Sequence, residues 1–313
     1  MRNAIPSPSQ GVWHLGPIPV RAYALAILAG IVVAFIIGKR RYKDRGGDPD
    51  LVLDTGLWAV IFGILGARLY HVITDWQLYF SEGARPIDAL KIWNGGLGIW
   101  GGVAGGAIAG AVYLRHRKAA VAPFADSIAP GILVAQAIGR LGNYFNQELF
   151  GRPTNLPWGL QIDAAHVSPE YAPGTLFHPT FLYELIWNLA AAGMLIFLDR
   201  KKKFCGGQVF ALYIVFYAVG RIWVEMLRID RAHIIFGLRL NVWTTAAIAM
   251  AGVVAYIILG RKATSTTVIS AVGAAPQNAG ANAQANHQTG STEIEEERDT
   301  VKADPLPNQT NRP

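Results

Sequence analysis

Three clusters of charge and amide sit in this chain where an apolar environment would penalise them. The first is GRLGNYFNQELFGR, residues 139–152. Arg140 and Asn143 are three residues apart, so on a helix they share one face. Asn146, Glu148, Gly151 and Arg152 follow at once. Arginine offers a planar fork to phosphate oxygens, while amides and a carboxylate bind hydroxyls. The set therefore suits a phosphate bearing a polyol. The second cluster is GRIWVEMLRID, where Arg221, Glu225 and Arg228 fall at i, i+4 and i+7 on one helical face. Alone, that spacing also fits an ion pair that only neutralises itself. The third is HPTFLYE, with His178, Tyr183 and Glu184. Pro179 there stands where a helix starts, so His178 also fits a plain cap or loop position. Arg68 and Asp126 are further charged candidates, and either also fits an anchor at a helix end.

The elements that must position these groups are apolar runs of membrane length. Of 313 residues, 52 % are hydrophobic and 16 % charged, against about 25 % charged in a soluble domain. About 20 apolar residues cross the hydrocarbon core. Seven such spans are expected, near 20–38, 51–73, 95–114, 124–142, 178–198, 206–227 and 241–260. Basic clusters at 39–45, 115–118, 200–203 and 261–262 close every second span, and such clusters mark cytoplasmic ends. The N-terminus is then outside and the C-terminus inside. Loops 73–94, 143–177 and 228–240 lie on the outer face. Arg68, Arg140 and Arg221, from three spans, are expected to converge there as an anionic-lipid site. The third span is dense in glycine, from Gly95 to Gly110, which serves close helix packing or leaves room for a lipid chain.

The net charge of +7 does not point to nucleic acid, because the Lys and Arg concentrate at span ends. The single cysteine, Cys205, excludes an internal disulfide framework. Beside Lys201–Lys203 it reads as incidental rather than as a catalytic thiol. The N-terminus does not read as a cleaved signal peptide, and the chain has no Leu-x-x-Cys box. Residues 263–313 are rich in Ala, Asn, Gln, Thr and Pro with an acidic run at 293–297. They read as a disordered cytoplasmic tail. The expected fold is an all-α polytopic membrane protein: a seven-helix catalytic domain at 1–262 and the tail at 263–313.

GRLGNYFNQELFGRPTNLPWGL closely resembles the signature segment of prolipoprotein diacylglyceryl transferases. WNGGLGIWGG, FHPTFLYE, GRIWVEMLRID and VRAYAL (with Tyr23) resemble that family's other blocks in the same order. The resemblance covers roughly residues 12–260. It implies an inner-membrane enzyme whose site opens to the periplasmic half. Such an enzyme moves the diacylglyceryl group of phosphatidylglycerol onto the lipobox cysteine of a prolipoprotein, releasing glycerol-1-phosphate, with no metal or nucleotide cofactor. By motif position the resemblance makes Arg140 and Arg221 the catalytic arginines. Tyr23, Gly95, Asn143, Glu148, Gly151, His178 and Glu225 join Arg140 as substrate-binding positions. One departure stands out: Trp100 occupies the place where many members carry a histidine offered as the thiol's base. A tryptophan takes no proton, which leaves His178 and Glu148 as the nearest alternatives by motif. Two other functions fit a membrane arginine cluster: a lipid transporter, which would more typically show internal repeats, and a different phospholipid headgroup transferase.

Overall fold

The computed structural model describes residues 4–202, 204–230 and 232–273. The chain is a mostly helical, multi-pass membrane protein. Its helices are α1 (Ala22–Asp44), α2 (Asp50–Thr74), the one-turn α3 (Gln77–Phe80), α4 (Ile99–His116), α5 (Val121–Phe145), α6 (Thr180–Lys201), α7 (Gln208–Leu227) and α8 (Leu240–Gly273). All but α3 fall on the seven expected spans. Six of them are long and apolar enough to cross a membrane. The exception is α4, whose 18 residues reach about 27 Å at 1.5 Å per residue. Its glycines and its terminal Arg115 and His116 hold its hydropathy down. α8 runs on past the expected boundary at 262, so the first part of the segment read as a disordered tail is helical to Gly273. Residues 274–313 lie outside the described residues.

α5 is the hub: α1, α6 and α7 all pack on it, while α2 packs on α4. Ala129 and Leu133 of α5 share one apolar core with Ala191, Ala192 and Leu195 of α6 and Val209 of α7. A second core joins Tyr42, Leu51, Val52, Leu114 and Phe124. The outward faces of the helices stay apolar and exposed, as at Leu57, Leu65, Ile108 and Ile186, which is the pattern a lipid solvent requires.

The connections on one side carry three short antiparallel pairs: β1 (Val12–Leu15) with β2 (Ile18–Arg21), β3 (Leu160–Gln161) with β4 (Leu176–Phe177), and β5 (Ile234–Ile235) with β6 (Leu238–Arg239). A third core of Leu160, Ile162 and Phe177 holds the 146–179 segment together. At the other side α1 and α6 are tied by charge. Arg41 and Arg45 both reach Asp199, at 2.7 and 2.9 Å.

Asp126 is an anchor rather than a reactive group. Its two carboxylate oxygens accept the backbone N–H groups of Gly207 and Phe210, at 2.7 and 2.8 Å, and so cap α7. The glycines of α4 serve close packing. A Cβ on Gly101 would stand 2.2 Å from the Gly66 carbonyl oxygen, and one on Gly66 2.4 Å from that of Gly101. The Gly101→Leu variant is therefore expected to push α2 and α4 apart and to cost about 1–3 kcal/mol, the range of core overpacking. Gly193→Ala, with open space at its Cβ, is the control. Thermal unfolding in detergent checks both: Gly101→Leu should melt lower and Gly193→Ala should not.

Candidate active site

The site forms where α5 ends and α6 begins, beside the last turns of α7. Arg140 Nη1 donates to Asn143 Oδ1 at 3.1 Å, one helical turn away. Asn143 Nδ2 donates to Glu148 Oε1 at 2.7 Å, and Asn146 Nδ2 reaches the same oxygen at 3.3 Å. Glu148 lies back against Asn143 because the chain reverses sharply after α5. Gln147 and Leu149 take positive φ, at 51° and 60°, a conformation that costs on the order of 1–3 kcal/mol per residue outside glycine. Gln147 is held in it by bonds to the Pro8 carbonyl, to Asp163 Oδ2 and from the Asp163 N–H. Thr180 Oγ1 donates to the Leu149 carbonyl. The first cluster is thus one bonded unit rather than a loose loop.

Glu184, on α6, joins that unit to α7. Its Oε2 lies 2.5 Å from Arg140 Nε, and its Oε1 lies 2.9 Å from Arg221 Nη1. Arg221 Nη2 in turn lies 2.7 Å from Glu225 Oε2. Glu225 is fully buried, at 0 % exposure. Its Oε1 accepts from Asn241 Nδ2 at 2.9 Å and faces Arg239 Nε at 2.9 Å. Arg228 lies 3.7 Å from Glu225. Arg228 and Arg239 also grip Asp230, at 2.7 and 2.9 Å. Burial alone would raise the Asp230 carboxyl, but the hydrogen bond and charge of Arg228, together with those of Arg239, bring it below the usual carboxylate range. A small cavity of about 10 Å³ opens among Arg140, Asn143, Glu184, Thr180 and Arg228, roughly the room of one water. Beyond Arg228 a larger cleft, about 690 Å³, runs between Arg152, the end of α7 and the β5–β6 hairpin.

The remaining expected residues divide. Tyr23 lies against the signature helix: a Cβ on Gly142 would stand 2.4 Å from its ring. Gly151 is where three segments meet. Its N–H donates to the His178 carbonyl at 2.9 Å, it bridges to Arg228, and a Cβ there would sit 2.8 Å from that of His178. The His178 ring contacts the Tyr183 hydroxyl at 3.1 Å rather than the arginines. Burial lowers its pKa below the usual 6.5, so it stands neutral at pH 7. Gly95 adopts φ 84°, and its carbonyl accepts from Arg68 at 2.6 Å. Trp100 opens α4 and is half exposed.

Arg68 corrects the expectation of three converging cations. It is buried, and its guanidinium donates to the carbonyls of Asp88, Ala89, Gly95 and Gly96 at 2.6–3.0 Å. Those donors are spent on backbone, so Arg68 pins the 86–96 loop. Sequence reasoning left Glu184, Arg239 and Asn241 without roles. Glu184 had a signal, lying one turn inside its span at a depth comparable to Arg140 and Arg221. Arg239 had none, because it reaches Glu225 from the β5–β6 hairpin, and Asn241 showed only as a polar residue at the start of the seventh expected span, in the first turn of α8. Arg68→Ala would remove the donor of the Ala89, Gly95 and Gly96 carbonyls, while the Asp88 carbonyl keeps the Lys91 N–H. At about 1–3 kcal/mol for each buried group left unsatisfied, the loop should loosen, and limited proteolysis should cut between residues 86 and 98 faster than in the unmodified protein.

Comparison with known proteins identifies the family. The family model described as "Prolipoprotein diacylglyceryl transferase" matches residues 10–258. The chain is 54 % identical to the phosphatidylglycerol–prolipoprotein diacylglyceryl transferase of Corynebacterium diphtheriae, covering 82 % of this chain and 95 % of the relative. The same-named proteins of Corynebacterium efficiens and Frankia alni are 51 % and 53 % identical, covering 82 % of this chain and 83 % and 68 % of the relatives. The chain belongs to the prolipoprotein diacylglyceryl transferase family.

Proposed function

We propose that the chain transfers the sn-1,2-diacylglyceryl group of phosphatidylglycerol to the lipobox cysteine thiol of a prolipoprotein. The observation that carries this reading is the identity of about half of all residues with relatives bearing that name, over 82 % of the chain. In this reading the protein spans the bacterial inner membrane seven times, α4 included. The arginine network faces the outer half, the N-terminus is outside and the C-terminus cytoplasmic. Basic side chains at the ends of α1, α4 and α6 support that orientation.

The reaction forms an S–C bond and breaks the C–O bond to phosphate, so glycerol-1-phosphate leaves with the electron pair. The nucleophile is the thiolate, a few per cent of a free cysteine at pH 7 given its pKa near 8.5. Arg140 holds the phosphate of the lipid. Arg221 stabilises charge as it grows on the leaving group, and Glu225 orients Arg221. A guanidinium aimed at developing charge in a water-poor site contributes several kcal/mol to the barrier reduction. Asn143 and Glu148 take the glycerol hydroxyls. Tyr23 and Gly151 close the walls, and Gly95 shapes the loop before α4. Two groups stand in for the histidine that Trp100 replaces as acceptor of the thiol proton: Glu148, bonded into the Arg140–Asn143 unit, and His178, whose ring is turned to Tyr183. No metal or cofactor enters.

The test combines purified protein, phosphatidylglycerol and a synthetic lipobox peptide, read by mass spectrometry. The peptide should gain one diacylglyceryl group. A Cys→Ser peptide should gain none, and Arg140→Ala protein should lose about 10²-fold or more in rate, the scale of one removed charge-stabilising donor. No adduct from folded protein would move the reading to lipid transport, and a modified lipid instead of a modified peptide would move it to another headgroup transfer.

A further inference from the structure

The mechanism uses Arg140 and Arg221 but not the group that holds them together. They come from different helices, α5 and α7, and would repel across a buried space if left alone. Glu184 stands between them on a third helix, α6, 6 % exposed. One oxygen takes Arg140 and the other takes Arg221, at 2.5 and 2.9 Å. The spacing of the two cations is therefore set by the fork of a single carboxylate. A phosphodiester offers a second anionic fork of the same kind, two oxygens on one atom. The contacts named above leave Arg140 Nη2 and Arg221 Nε to meet it. Ion pairs in the wider network join four guanidinium groups (Arg140, Arg221, Arg228, Arg239) to three carboxylates (Glu184, Glu225, Asp230).

We infer that Glu184 is a positioning residue for the transfer: it fixes Arg140 and Arg221 at the separation in which a phosphodiester bridges them. The inference rests on the transferase reading. Without the carboxylate the phosphate still finds two arginines and one more unit of positive charge, so binding survives. What is lost is their placement around the departing oxygen, which is felt in turnover. Glu184→Gln keeps the shape and removes the charge. Glu184→Asp keeps the charge one methylene short.

Steady-state kinetics with short-chain phosphatidylglycerol and lipobox peptide test this. Glu184→Gln should lose about 100-fold in kcat while KM for the lipid moves less than about 3-fold, and Glu184→Asp should lose only about 10-fold in kcat. Near-normal kcat in Glu184→Gln, or a loss confined to KM, overturns the inference. Should Glu184→Gln not fold, Glu184→Asp decides alone: a kcat loss of about 10-fold at unchanged KM supports positioning, and full activity contradicts it. Titration with glycerol-1-phosphate separates this question from the transferase reading, because it needs no turnover. Glu184→Gln should bind it at least as tightly as the unmodified protein, whereas Arg140→Ala should not. A Glu184→Gln protein that loses the ligand as Arg140→Ala does would overturn the positioning role. An unmodified protein that binds glycerol-1-phosphate without alkylating the peptide would overturn the transferase reading instead.

Discussion

Charge buried in a membrane protein must be answered by charge, and this requirement organises the fold around the site. A carboxylate such as Glu225, with no exposed surface, is tolerable only because Arg221, Arg228 and Arg239 surround it. Breaking a buried pair by removing one partner costs about 3–5 kcal/mol. The alternation continues through Glu184 to Arg140 and through Asp230 at the other end. It draws one side chain or more from α5, α6, α7, the β5–β6 turn and the first turn of α8. The network is therefore a tertiary staple, and the helices cannot shift without separating charges.

The rest of the bundle reads as what is needed to hold that staple still. Asp126 fixes the start of α7 from α5, so the far end of α7 delivers Arg221 and Glu225 at a set depth. The strained reversal after α5 turns Glu148 back onto Asn143. Gly151 lets the returning strand touch both the start of α6 and the end of α7. On the other flank Arg68 orders the loop before α4 with four hydrogen bonds to its carbonyls. Two arginines on different helices thus have opposite partners. Arg221 is answered by carboxylates that an incoming anion can share, whereas Arg68 is answered by carbonyls that already take its donors.

Much of this was legible in the amino-acid sequence, and the reason is the solvent. Lipid forces apolar runs of fixed length, so the seven long helices lie where hydropathy puts them. α4 is the marginal one because glycine packs closely while adding little hydropathy. The spacing of Arg140 with Asn143, and of Arg221 with Glu225, placed each pair on one face, and both pairs are bonded. What spacing within one helix cannot reveal is pairing between helices. Glu184 was visible as a carboxylate in a span, but not as the partner of two arginines on two other helices. Arg68 looked like a member of the same cluster, because its donors are consumed by backbone carbonyls that no motif records. Arg239 reaches Glu225 through a turn, where no periodicity operates.

The central claim is that the phosphate of the lipid binds across Arg140 and Arg221. A structure of the protein with a short-chain phosphatidylglycerol bound tests it most directly. The account predicts phosphate oxygens within hydrogen-bond distance, about 2.7–3.2 Å, of both guanidinium groups, with Glu184 still between them. A phosphate held instead in the arginine-lined cleft at the opposite ends of α1 and α6, beside Arg40 and Arg200, with Arg140 and Arg221 untouched, would contradict it.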